Sequence, residues 1–184
     1  MVQPTTTRIG AAEYFNLPEY AEHNLIQLID GEVVIGMPPL FKHQLISSEI
    51  HFYLKAIAKQ TGGRAVSAPT QVYLGENNIY EPDVIYLKPD TSCGSDEKGL
   101  VGSPDLVVEI LSPSTAKYDR VQKYNAYEAS GVGEYWIVDP AHGTVEVWTQ
   151  GEAGFAKQGT YATGDTFKSR TLAEDVAVKP FFDV

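Results

Sequence analysis

Two carboxylates sit where carboxylates are costly. Asp83 opens the run Glu81-Pro82-Asp83-Val84-Ile85-Tyr86-Leu87, and Glu109 lies inside Pro104-Asp105-Leu106-Val107-Val108-Glu109-Ile110-Leu111. Both runs read as short β-strands. A carboxylate in an apolar run must be paired, hydrogen-bonded or bound to a cation to be tolerated. Two on neighbouring strands repel each other across about 4.7–4.9 Å of sheet spacing. A divalent cation between them removes both costs, so this pair predicts a metal site. The same pair could serve a glycosidase.

Three further residues bear on that site. His43 falls on the apolar stripe that Ile46, Ile50, Leu54 and Ile57 draw along 41–60, one turn before Ile46. It reads either as a hydrogen-bonded core residue or as a group facing the site. Lys123 shares a helical face with Ala116, Asp119, Ala126 and Tyr127. It reads either as an ordinary i to i+4 ion pair with Asp119 or as a cation turned toward the carboxylates. Glu81 is a metal or supporting ligand, or a strand-edge charge. No phosphate-binding glycine loop, nucleophile elbow or paired Cys/His zinc pattern is present. Cys93 stands alone in a polar loop with nothing nearby to activate it.

The elements that must position these groups follow from the same chain. Residues 1–8 are expected to be disordered, and Ile9 to Leu17 forms a short helix that stops before Pro18. Residues 18–24 read as a polar connector. Leu25–Ile29 and Glu32–Gly36 flank Asp30-Gly31, a strong hairpin signal. Phe41 to Gln60 is a long helix closed by Thr61-Gly62-Gly63. Strands are expected at 64–67, 71–74, 83–87, 106–111, 134–138 and 144–148, with a weak one around Phe155. Residues 88–103 form a polar loop. Ser112 to Thr115 supply capping side chains for a helix from about Ala116 to Ser130. This order predicts an α/β or α+β domain whose central mixed sheet is flanked by helices.

The 184 residues suit one domain, here 9–184, with a sizeable core. A formal net charge of −10 counts against a protein that coats nucleic acid, though not against an acidic metal site. One cysteine excludes an internal disulfide, and no signal pattern or membrane-length apolar run appears. A cytoplasmic protein with no membrane contact is expected.

Helix, Pro82-Asp83, Glu109 strand, then a Lys123 helix: this order resembles the PD-(D/E)XK nuclease superfamily. Leu28 to Val33, His43-Gln44, Glu81 to Val84, 104–115 and Gly131 to Pro140 resemble, within it, the Uma-type putative restriction endonucleases, formerly a domain of unknown function. The resemblance spans roughly residues 10 to 180. It implies a restriction-endonuclease-like core and a Mg²⁺-dependent DNA endonuclease, with Mn²⁺ as substitute. It implies Asp83 and Glu109 as metal ligands with the Ile110 carbonyl, Lys123 as the water-orienting or charge-stabilising group, and His43 as an accessory. It also implies a homodimer. One departure stands out: the superfamily places its lysine two residues after the glutamate, where this chain has Leu111. That departure and the acidic charge favour an alternative, a nuclease-fold module that binds nucleic acid or a protein without turnover.

Overall fold

The Asp30-Gly31 turn forms the hairpin its residues demand. Both have positive φ, 51° and 80°, the backbone that a two-residue primed turn requires. The computed structural model describes residues 8–22, 25–112, 116 and 118–184. The expected disorder at 1–8 therefore falls almost wholly outside the described residues, as do the capping residues 113–115.

In chain order, helices α1 (Ala11–Tyr14) and α2 (Pro18–Glu22) precede β1 (Ile26–Ile29) and β2 (Glu32–Ile35). Helix α3 (Phe41–Thr61) follows and ends on Gly62, whose left-handed φ of 83° lets its N–H cap the Ala58 carbonyl. Then come β3 (Arg64–Ser67), β4 (Gln71–Tyr73), β5 (Ile79–Tyr80), β6 (Val84–Leu87), β7 (Gly94–Ser95), β8 (Gly99–Val101) and β9 (Leu106–Ile110). A π-helical segment, Tyr118–Lys123, runs directly into α4 (Tyr124–Ser130). The chain closes with β10 (Glu134–Asp139), β11 (Thr144–Gly151), β12 (Gly154–Ala162), β13 (Thr166–Lys168), β14 (Asp175–Ala177) and a short 3₁₀ turn at Lys179–Phe181.

The central mixed sheet has the order β12-β11-β10-β9-β6-β3, with β9 and β10 parallel and the other neighbours antiparallel. The helix stripe of α3 packs on one face, where Ile46, Ile50, Leu54 and Ile57 meet Val84, Val108, Ile110 and Trp136. The opposite face carries Val107, Tyr135 and Ile137 against Tyr127 of α4. Period-2 alternation along β9 thus sends Val108 and Ile110 to α3, and Val107 and Glu109 to α4.

Several expectations are corrected. The polar connector at 18–24 contains a helical turn over Pro18–Glu22. The polar loop at 88–103 contains β7 and β8, because β8 pairs in parallel with β4. The hairpin is therefore the edge of a second six-stranded sheet, β2-β1-β5-β4-β8-β7. The weak strand at Phe155 is nine residues long, supported by β11 along its length. The helix expected over 116–130 is wound as a π-helix through Lys123.

Candidate functional site

Register decides where the two carboxylates meet. Val84 pairs with Val108 across β6 and β9, so the next step sets Asp83 opposite Glu109. Asp83 stands just before β6 rather than within it. Its Oδ2 accepts the Ile110 N–H at 2.7 Å, extending the ladder through a side chain. Both acids thereby face the same side of the sheet, toward the π-helix and α4.

Glu109 is almost completely buried, and both of its oxygens are engaged. Tyr127 donates its hydroxyl to Oε1 at 2.6 Å, and the Lys123 ammonium lies 2.8 Å from Oε2. Lys123 also lies 3.2 Å from Asp119 Oδ1, one helical turn earlier. The two readings of Lys123 are therefore both geometric facts: one ammonium bridges its helix neighbour and the strand carboxylate. Burial drives the Glu109 carboxyl upward and Lys123 pulls it back, leaving it pushed up to about 8. Lys123 is raised as well: burial opposes its charge, but Glu109 and Asp119 outweigh it. These shifts pull in opposite senses across one contact. An ammonium between two acids is the firmer state, so Lys123 stays charged whichever form Glu109 takes.

His43, in the first turn of α3, places Nε2 3.2 Å from Asp83 Oδ2. Burial disfavours its imidazolium, yet the hydrogen bond and charge of Asp83 and the Ile110 backbone raise its pKa above the ordinary value. Its Nδ1 is buried with no hydrogen-bond partner among the described residues. Glu81 is buried too. Its Oε1 accepts from Gln71 at 3.2 Å, Oε2 has no hydrogen-bond partner among the described residues, and burial pushes the carboxyl up to about 7.

His43, Glu81, Asp83, Glu109, Asp119 and Lys123 all line one cavity of about 570 Å³. Its mouth is formed by the segment between β2 and α3, including Met37, Pro38, Pro39 and Leu40. All four candidate side chains named from the sequence, and the Ile110 position, are thus brought together. Tyr127 is the residue whose part was not foreseen: its place on the Lys123 face was visible, but not its hydrogen bond to Glu109. The Cys93 thiol lies elsewhere, and burial raises its pKa, as suits an inert residue.

The donor set has the character of a hard-cation site. Four carboxylates share the cavity with one lysine and one histidine. Asp83 Oδ1 carries no bond to the described residues, and each engaged oxygen of Glu109 keeps a second lone pair. Among the described residues, no three His, Cys, Asp or Glu side chains stand close enough to enclose a metal by themselves. Such a set suits an ion that takes one or two carboxylates and keeps several waters, as Mg²⁺ does.

Comparison with known proteins agrees with this arrangement. The uncharacterized protein sll1609 of Synechocystis sp. (strain ATCC 27184 / PCC 6803 / Kazusa) is 26% identical over 141 residues, covering 76% of this chain and 79% of that protein. The crystal structure of a putative nuclease belonging to DUF820 from Anabaena variabilis ATCC 29413 matches with a TM-score of 0.75 at 21% identity. It covers 95% of this chain and 97% of the other, and the likeness is one of fold. The family model described as "Uma2: Putative restriction endonuclease" matches residues 11–179. With nearly the whole chain inside that match, this protein belongs to the Uma2 putative restriction endonuclease family.

Proposed function

We propose that this chain is a divalent-metal-dependent DNA endonuclease that hydrolyses phosphodiester bonds at the cavity holding Asp83 and Glu109. The carrying observation is the meeting of those acids with Lys123 and His43 in one cavity. Asp83, Glu109 and the Ile110 carbonyl would hold Mg²⁺, with Mn²⁺ as substitute. When bound, such an ion lowers the pKa of a coordinated water and offsets charge on the scissile phosphate.

The chain's own groups do the rest. Lys123, held by Glu109 and Asp119, offers its ammonium to a phosphate oxygen on which charge builds. His43 can hold or release a proton at Nε2, where Asp83 keeps the ring in place. Tyr127 fixes the rotamer of Glu109. The lysine missing at Leu111 is supplied from the helix, because Lys123 Nζ reaches the same carboxylate. We take the domain as 9–184, acting as a homodimer so that two sites can address two strands. Among the described residues, no helix is long and apolar enough to cross a membrane.

The test is plasmid nicking with Mg²⁺ or Mn²⁺, abolished by EDTA, with the wild type run beside Glu109→Gln and Lys123→Met. Loss of nicking in both variants, while their folded spectra persist, supports the reading. Equal nicking by wild type and Glu109→Gln sinks it. A second reading draws on the mutual satisfaction of Lys123, Glu109, Asp119 and Tyr127. In it the network only braces a binding module, and clean protein leaves DNA intact under every metal.

A further inference from the structure

The acids and the lysine lie at the bottom of their cavity, while its rim is apolar. Glu109 is 2% exposed and Lys123 4%. Met37 and Leu40 line the mouth and are 67% and 64% exposed, and Phe41, the next residue, is 79% exposed. Large apolar side chains grouped in water mark a contact surface. Pro38 and Pro39 fix φ between Met37 and Leu40, and the Gly36 N–H is tied to the Leu25 carbonyl at 2.7 Å. The rim is thus presented on a stiff segment.

We propose, resting on the nuclease reading above, that the strand acted on enters this cavity unpaired, with its bases packed against Met37, Leu40 and Phe41. A continuous duplex carries its phosphates on a stiff rod, and lowering one to a buried lysine requires local unstacking. An unpaired strand bends freely and turns its bases outward, and base faces pack on apolar and aromatic side chains whatever the sequence. Charge points the same way. Duplex binding draws its affinity from lysines and arginines on phosphates, whereas this chain has a net charge of −10. Lys42, beside the rim, places its ammonium on the Pro140 carbonyl at 3.1 Å. Base packing supplies the affinity that surface charge does not.

The test is fluorescence anisotropy with the full chain in Ca²⁺ and in EDTA. The probes are a labelled oligothymidine, its duplex with oligodeoxyadenosine, and the same strand carrying abasic spacers. The single strand is expected to bind at least about 10-fold tighter than the duplex. Abasic spacers, or the variant Met37→Ser/Leu40→Ser/Phe41→Ser, should cost about 10-fold or more. The variant should keep its unfolding midpoint, since these side chains are exposed. Duplex binding equal to or tighter than single-strand binding overturns the proposal. So does a rim variant with wild-type affinity, including one in which light scattering shows a dimer turned monomer, which would make the rim a self-association face. Cleavage of plain duplex that ignores the rim variant overturns this inference and leaves the nuclease reading standing. Failure to bind or cut any of the probes overturns both.

Discussion

Replacing Lys123 by methionine removes the ammonium that sits between two nearly inaccessible acids. At an effective dielectric of about 20, one charge pair at 2.8 Å is worth about 6 kcal/mol and one at 3.2 Å about 5 kcal/mol. Desolvation offsets much of that attraction, but it is not recovered by deleting one partner. The remaining acids stay buried, and such deletions cost about 3–5 kcal/mol. The loss should depend on pH. Burial already holds the Glu109 carboxyl at about 8, above its ordinary 4.5, so the folded protein binds the extra proton. Stability from a group raised in this way is present below about 4.5 and lost as pH rises through the folded value. Lys123→Met raises that value further and widens the window. Urea unfolding should therefore show a small deficit near pH 5, growing to about 3–5 kcal/mol at pH 8. Glu109→Gln/Lys123→Met should be more stable than Lys123→Met alone, because the uncompensated charge is gone. A deficit under about 1 kcal/mol at pH 8, or one flat with pH, would refute a buried pair of opposite charges.

Other outcomes follow from neighbouring contacts. Tyr127→Phe deletes the hydroxyl donated to Glu109 and should lower stability by about 1.5–3 kcal/mol in the same unfolding assay. In metal-free protein, NMR titration of His43 should give a midpoint above 6.5. Asp83→Asn should bring it below 6.5, because burial alone favours the neutral ring. The imidazolium's share of stability is then present below 6.5 and lost as pH rises through the folded midpoint. Gly133→Ala would set a Cβ 2.7 Å from the Asp105 carbonyl oxygen, where β9 and β10 begin. It should cost about 1–3 kcal/mol in thermal unfolding, and wild-type stability would show that this end of the sheet yields easily.

What the sequence disclosed was whatever is written locally. Asp30-Gly31 specifies a turn by backbone conformation alone. The stripe Ile46, Ile50, Leu54 and Ile57 specifies the buried side of α3. Asp83 and Glu109 were conspicuous because acids in apolar runs need a reason. What stayed hidden depends on partners far along the chain. β8 exists because β4, nearly thirty residues earlier, offers it a parallel edge. β12 holds few apolar residues and is extended by its ladder with β11 rather than by burial of its own side chains. The Tyr127 hydroxyl looks like any core tyrosine until the fold sets it against Glu109.

The π-helical winding is the remaining piece of this logic. Ordinary helical periodicity placed Asp119 and Lys123 on one face, which is true of both windings to within a few tens of degrees. It gave no sign that the segment would be wound with i to i+5 bonds, a rare state found mostly at functional sites. The local cost of that winding has to be met by what it positions. Here it positions Lys123, buried, against an acid from β9 that the helix cannot reach through its own sequence neighbours. The strand that would ordinarily carry the lysine instead offers Leu111, which packs with the apolar group around Tyr127 and Tyr135. The cation has moved from the strand to the helix and the apolar residue has taken its place, so the charge beside Glu109 is conserved in space while it is displaced in sequence.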